Sequence, residues 1–213
     1  MANRWPIRIK MKTKVGVFSL LLLYKQVTYK IATAMKKLLF ILFLFTISTS
    51  IAQDKYLTKT GTVNFEASVP SFEEVAASNS TVTAILNSEN GEFAALALVK
   101  GFRFKNALME EHFNENYAES SKYPKATFKG IISGFDLNNI KSTYNISGEL
   151  EFHGVKKSYE NLTVKVSKNG TTIILAGSFK TNPIDFNIEI PSIVKNKIAE
   201  NVDVSFRFEL EKK

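Results

Sequence analysis

The stretch Val202-Asp203-Val204-Ser205-Phe206-Arg207-Phe208-Glu209-Leu210-Glu211 alternates apolar and polar residues without an exception. Successive side chains of a strand point to opposite faces, so a period of two fixes a half-buried strand with one wet face. The same alternation runs through Thr62 to Ala67, with Val63, Phe65 and Ala67 inward, and through Leu162 to Val166. Tyr144 to Phe152 repeats it with Tyr144, Ile146, Gly148, Leu150 and Phe152. Ser80 to Asn87, Glu92 to Phe104, Ala126 to Ile132 and Thr171 to Lys180 read as further strands, some apolar on both faces. Ser88-Glu89-Asn90-Gly91 and Lys168-Asn169-Gly170 separate neighbours and supply the positive φ that tight hairpins need.

About eight antiparallel strands either close into an up-and-down barrel or stack as a sandwich, and the barrel is the preferred reading of this all-β pattern. One α-helix interrupts the strands at about residues 106–117. There Leu108, Met109, His112, Phe113 and Tyr117 recur at helical spacing, while Glu110, Glu111, Asn114 and Glu115 take the wet side. A shorter helical turn is predicted at Ile193 to Ala199, before the final strand. No internal repeat or low-complexity tract is present.

The N-terminus is of a different character. Met35-Lys36-Lys37 precedes the apolar run Leu38 to Ile47, and Ser48-Thr49-Ser50-Ile51-Ala52 follows. A basic start, a short apolar core and a small-residue end describe a secretory signal peptide over 35–52, with the cut placed between Ala52 and Gln53. The apolar run is too short to cross hydrocarbon, which takes roughly 20 residues. Residues 1–34 precede this signal as an upstream extension, and a translation start at Met35 is the simplest explanation of them.

Removing residues 1–52 takes away nine basic and no acidic side chains, so residues 53–213 hold 19 basic and 20 acidic residues against 28 and 20 in the whole chain. The formal charge falls from +8 to −1, and with it goes the argument for a nucleic-acid partner. The 161 residues that remain are expected to form one domain, 53–213, with a substantial core. Cysteine is absent, so an oxidising destination brings no disulfide, thiolate metal site or cysteine nucleophile.

Leu108-Met109-Glu110-Glu111-His112-Phe113-Asn114-Glu115-Asn116-Tyr117 through Lys122-Tyr123-Pro124-Lys125-Ala126-Thr127-Phe128 resembles the corresponding helix and strand of the YceI-like polyisoprenoid-binding proteins. Tyr144 to Lys157, with its His153-Gly154-Val155-Lys156-Lys157 turn, and Asp185-Phe186-Asn187-Ile188-Glu189-Ile190-Pro191 resemble two further segments of that family in order and spacing. The resemblance covers most of residues 100–210; the opening strand, Gln53 to Ala67, lacks the Trp and His common in the family. It implies a lipocalin-like antiparallel barrel in the periplasm or outside the cell, enclosing a long isoprenoid chain or another apolar lipid. The expected partners are that lipid and, transiently, a membrane or envelope protein.

A barrel of about eight strands is either filled by its own side chains or holds one slender ligand. Phe65, Phe102, Phe104, Phe128, Phe152, Phe179, Phe206 and Phe208 are candidates for the inward face, joined by Leu108, Phe113 and Tyr117 of the helix. These rings serve equally as plain core. Ala94, Ala95, Ala97, Gly148, Ala176 and Gly177 leave room beside them. Arg103 and His112, with Lys105, are the candidates for contact with a polar head group at the barrel mouth.

Catalytic patterns are missing. After residue 52 the only histidines are His112 and His153. Glu111-His112 lacks the second histidine of a zinc-protease helix, and no Gly-x-Ser-x-Gly elbow or glycine-rich phosphate loop occurs. His153, beside Gly154 at a strand end, reads as a structural turn residue. The sequence therefore predicts a binding protein without cofactor or metal, the alternative being a ligand-free structural or interaction module of the cell envelope.

Overall fold

The structure is a computed structural model that describes residues 13–46, 55–70 and 72–213. Contacts divide the chain into two units, Met1–Ala52 and Gln53–Lys213. In the first, a single helix, α1, spans Thr13–Thr46 and runs without a break through Met35. No helix among the described residues combines the length and apolarity that a membrane crossing needs. The cut expected after Ala52 lies outside the described residues.

In the second unit nine strands are described: β1 (Lys55–Ser68), β2 (Ala76–Asn87), β3 (Glu92–Leu98), β4 (Arg103–Phe104), β5 (Lys125–Ile132), β6 (Thr143–Phe152), β7 (Val155–Asn169), β8 (Thr172–Thr181) and β9 (Ile198–Lys212). They lie in the order β1-β9-β8-β7-β6-β5-β3-β2-β4, all antiparallel, and β1 also pairs with β2. That last pairing closes eight strands into a barrel, leaving β4 as a short addition beside β2. Closure removes the exposed edges that an open sheet would present.

The alternation of β9 matches its environment: Phe208 and Leu210 are buried, while Asp203, Ser205, Arg207 and Glu209 are exposed. Two other segments differ from the sequence pattern for local reasons. The single strand expected over Glu92 to Phe104 is broken by a 3-10 turn, Val99–Gly101. Asn79, fully buried on β2, causes the break: its amide donates to Leu98 O at 3.0 Å, and its Oδ1 accepts from the Thr81 amide at 2.9 Å. Strand β7 begins at Val155, seven residues before the alternation becomes legible at Leu162. Asn161 sits at φ 56, where the pairing with β6 shifts register between Ile146 and Gly148, so the period of two is reset in mid-strand.

The expected helix is present as α2, Ala107–His112, continued by a π-helical turn, Phe113–Tyr117. Asn106 caps it, its Oδ1 accepting from the Leu108 and Met109 amides. Near the C-terminus, 3-10 geometry falls at Pro183–Phe186, not at Ile193 to Ala199. The latter segment instead makes two successive turns, closed by Val194 N to Pro191 O and Lys197 N to Val194 O, and enters β9 at Ile198. Proline at the first position and Asn187 at φ 58 explain why the earlier segment carries the tighter helix.

Candidate functional site

Strand directions define two ends of the barrel. One end carries the tight β2–β3 and β7–β8 turns. The other carries the β1–β2 loop, the 99–124 connection with α2, the β6–β7 turn and the 182–197 loop. The interior toward the first end is solid: Tyr56, Leu86, Ile132, Tyr144, Val164, Val166, Ile173, Leu175 and Leu210 are all buried and belong to one cluster. Toward the second end the interior opens into a cavity of about 440 Å³ with almost wholly apolar walls.

Aromatic rings bound this cavity below and above. Below, Phe206 stacks on Phe208 at 5.5 Å, Phe208 meets Phe93 at 5.6 Å, and Phe93 meets Phe128 at 6.4 Å. Above, Phe113 of the π-helical turn meets Phe65, Phe102 and Phe104 at 5.4, 6.0 and 5.2 Å. Phe65 also contacts Phe102 and Phe104 directly, so four rings from β1, β4, the turn before it and the helix form one cluster. The helix is thereby pinned over the rim by aromatic packing. On its wet side Glu110 pairs with Arg103 at 2.8 Å, and just before the helix Lys105 pairs with Glu74, whose hydrogen bond raises the Lys105 ammonium above its ordinary value.

Ten of the eleven interior candidates lie on the cavity wall: Phe65, Phe102, Phe104, Phe113, Tyr117, Phe128, Phe152, Phe179, Phe206 and Phe208. Leu108 does not. It is 57% exposed, and Met109 takes the inward place. Spacing is the reason: Met109, Phe113 and Tyr117 follow one another at four-residue intervals on one face, and Leu108 lies about 100° to the side of Met109. His112 lines the cavity at its rim, whereas Arg103 and Lys105 are exposed and are not among the lining residues.

Small residues have a different role from the one their size suggested. Ala95 and Ala97 do line the cavity, but Gly148 and Gly177 are seats for rings. A Cβ at Gly177 would stand 2.7 Å from Phe206 Cζ, and one at Gly148 2.8 Å from Phe128 Cζ. The lining also includes residues not singled out beforehand. Val202 and Val204 share the inward face of β9 with Phe206, and Ile188 and Ile190 continue an alternation from Phe186 that was legible as such. Lys197, Glu73 and Thr181 add polarity near the opening, and nothing in the sequence marks them.

The three segments that carry the family resemblance meet beside this opening. His153 and Gly154 occupy a two-residue turn with φ of 49 and 73, the type I′ geometry that suits the twist of a hairpin. The His153 ring is nearly buried, with Nδ1 2.9 Å from Phe186 O and Nε2 2.8 Å from Glu119 Oε2. The two partners come from the 182–197 loop and from the helix connection. Tyr123 packs on the same imidazole at 4.5 Å. Lys157 and Asp185 pair across from the β7 strand to the 3-10 turn, and their mutual hydrogen bond lowers the Asp185 carboxyl and raises the Lys157 ammonium. His153 is thus a clamp that ties the helix connection, the β6–β7 turn and the 182–197 loop together. Among the described residues no group of three or more His, Asp or Glu gathers as a metal site would require.

The profile of the YceI-like domain family matches residues 44–210. Among solved structures, a polyisoprenoid binding domain from Saccharophagus degradans, implicated in plant cell wall breakdown, aligns with TM-score 0.64 at 17% identity, covering 76% of this chain and 99% of that one. BcnA from Burkholderia cenocepacia aligns with TM-score 0.59 at 18% identity, covering 70% and 95%. At these identities the likeness is one of fold. Comparison with curated proteins finds no match.

Proposed function

Because this chain belongs to the YceI-like domain family, we propose that it is a non-catalytic carrier, holding an isoprenoid or similar apolar lipid in the open half of its barrel for transport, storage or sequestration. The observation that carries this reading is the 440 Å³ apolar cavity itself, bounded by two ring clusters and reached from one end. A ligand-free module predicts an interior packed throughout. Here packing stops at the level of Phe93 and Phe208. The polyisoprenoid ligand of the Saccharophagus domain is chemically suited to such walls. Burying one methylene is worth about 0.8 kcal/mol, so a few isoprene units supply several kcal/mol before ordering costs are subtracted. No polar anchor is required for affinity.

The same reading places the protein outside the cytoplasm, exported by the 35–52 signal and cut after Ala52. A carrier of this kind meets a membrane or an envelope protein transiently, to load or deliver its lipid. Uptake of a polyprenol added to the purified protein is the test: saturation at one chain per barrel is expected. Failure to take up any prenyl or quinone chain refutes the reading.

A further inference from the structure

We propose that the ring series Phe206–Phe208–Phe93–Phe128 is a floor that ends the cavity and limits the length of chain the barrel can enclose, so that the protein selects its prenyl ligands by length. The inference rests on the lipid-carrying reading above and gives it a size.

Strands β9 and β3 are not neighbours, being separated around the barrel by β1 and β2. The contact of Phe208 with Phe93 at 5.6 Å therefore crosses the interior and does not run along the wall. Phe93 passes the contact on to Phe128 of β5, and Phe206 backs Phe208 on β9. Beneath this bar Leu86, Ile173, Leu175 and Leu210 are each 0% exposed, so no channel continues downward among them. The rings are also seated in the wall. A Cβ at Gly61 would stand 2.4 Å from Phe208 Cδ1, which means that part of the ring occupies space any other residue would fill. Gly148 receives Phe128 in the same way. Seated in these notches, the rings lie against the wall on one side while Phe208 and Phe93 meet across the interior.

The enclosed volume then sets the length. At the packing density of organic solids an isoprene unit of five carbons occupies roughly 100 Å³. The cavity above the floor holds only a limited number of such units, and the remainder of any longer chain stays in water at the mouth.

The test is a binding series on the full chain with geraniol, farnesol, geranylgeraniol, geranylfarnesol and solanesol, which carry two, three, four, five and nine isoprene units. Affinity is expected to rise at least about tenfold per unit over the shorter chains and then, once the cavity is full, to stay level within about threefold up to solanesol. In Phe208→Ala the floor recedes by roughly one unit of volume, and the plateau is expected to begin about one isoprene unit later, with about a tenfold gain for that chain. A continued rise through nine units in the unaltered protein overturns the inference, as does an unmoved plateau in folded Phe208→Ala. If that variant does not fold, the unaltered series decides alone. Absence of binding by every alcohol is a different result: it refutes the lipid reading itself.

Discussion

Replacing Phe113 with alanine removes the ring that joins the helix to the barrel rim. The ring makes three aromatic contacts, at 5.4, 6.0 and 5.2 Å, with Phe65, Phe102 and Phe104. Aromatic pairs contribute about 0.5–1.5 kcal/mol each beyond their buried area, and Phe→Ala in a closed core costs about 3–5 kcal/mol. Phe113 is half-buried and borders empty space, so the expected loss is near the lower side, about 2 kcal/mol. With a urea m-value of about 2 kcal/mol/M the unfolding midpoint should fall by about 1 M, followed by far-ultraviolet circular dichroism. Leu108→Ala is the matched control on the same helix. At 57% exposure it should cost no more than about 0.5 kcal/mol. Equal losses for the two variants, or a larger one for Leu108, would refute the claim that the helix is held through its Phe113 face.

Ala95→Phe projects a ring into the cavity and should weaken prenyl-alcohol uptake more than tenfold, with a stability loss of no more than about 1 kcal/mol because the ring enters empty space; unchanged uptake contradicts the placement of the ligand. The Lys157–Asp185 pair predicts a pH window. Asp185 is lowered from 3.8, so its contribution is present above that value and is lost as pH falls through the lowered one; Lys157 is raised from 10.5, so its contribution is lost only as pH rises past the raised value. The difference in urea midpoint between the unaltered protein and Lys157→Met should accordingly stay constant between about pH 4 and pH 10 and shrink outside it. The exported protein should begin at Gln53 and, lacking Trp5, show tyrosine emission only; tryptophan emission would mean that the leader is retained.

The barrel was legible because its strands carry their burial in a period of two, most plainly in β9. That legibility fails wherever the backbone itself breaks the period. Asn161 at positive φ hides the first half of β7, and buried Asn79 splits what reads as one strand into β3 and β4. Both are polar residues whose effect depends on a partner far along the chain, at Ser147 and Leu98 respectively. The candidate site was legible through its rings, since aromatic side chains on inward positions must either fill or line the interior. Which of the two each one does is decided by neighbours across the barrel. Phe208 and Phe65 look alike in the sequence, yet one closes the floor and the other supports the roof. Leu108 and Met109 are adjacent and both apolar, and it is the face shared with Phe113 and Tyr117 at four-residue intervals that turns Met109 to the cavity. Lys197 and Glu73 reach the rim from irregular loops, where no periodicity exists to place them.

The central claim is that the open half of this barrel carries an apolar lipid. It is tested most directly by mass spectrometry of an organic extract of the protein purified from the cells that make it. The account predicts one dominant prenyl-type lipid in near-equal molar amount with the protein, depleted in Ala95→Phe. Recovery of no lipid, or of the same lipid in equal amount from Ala95→Phe, would contradict it.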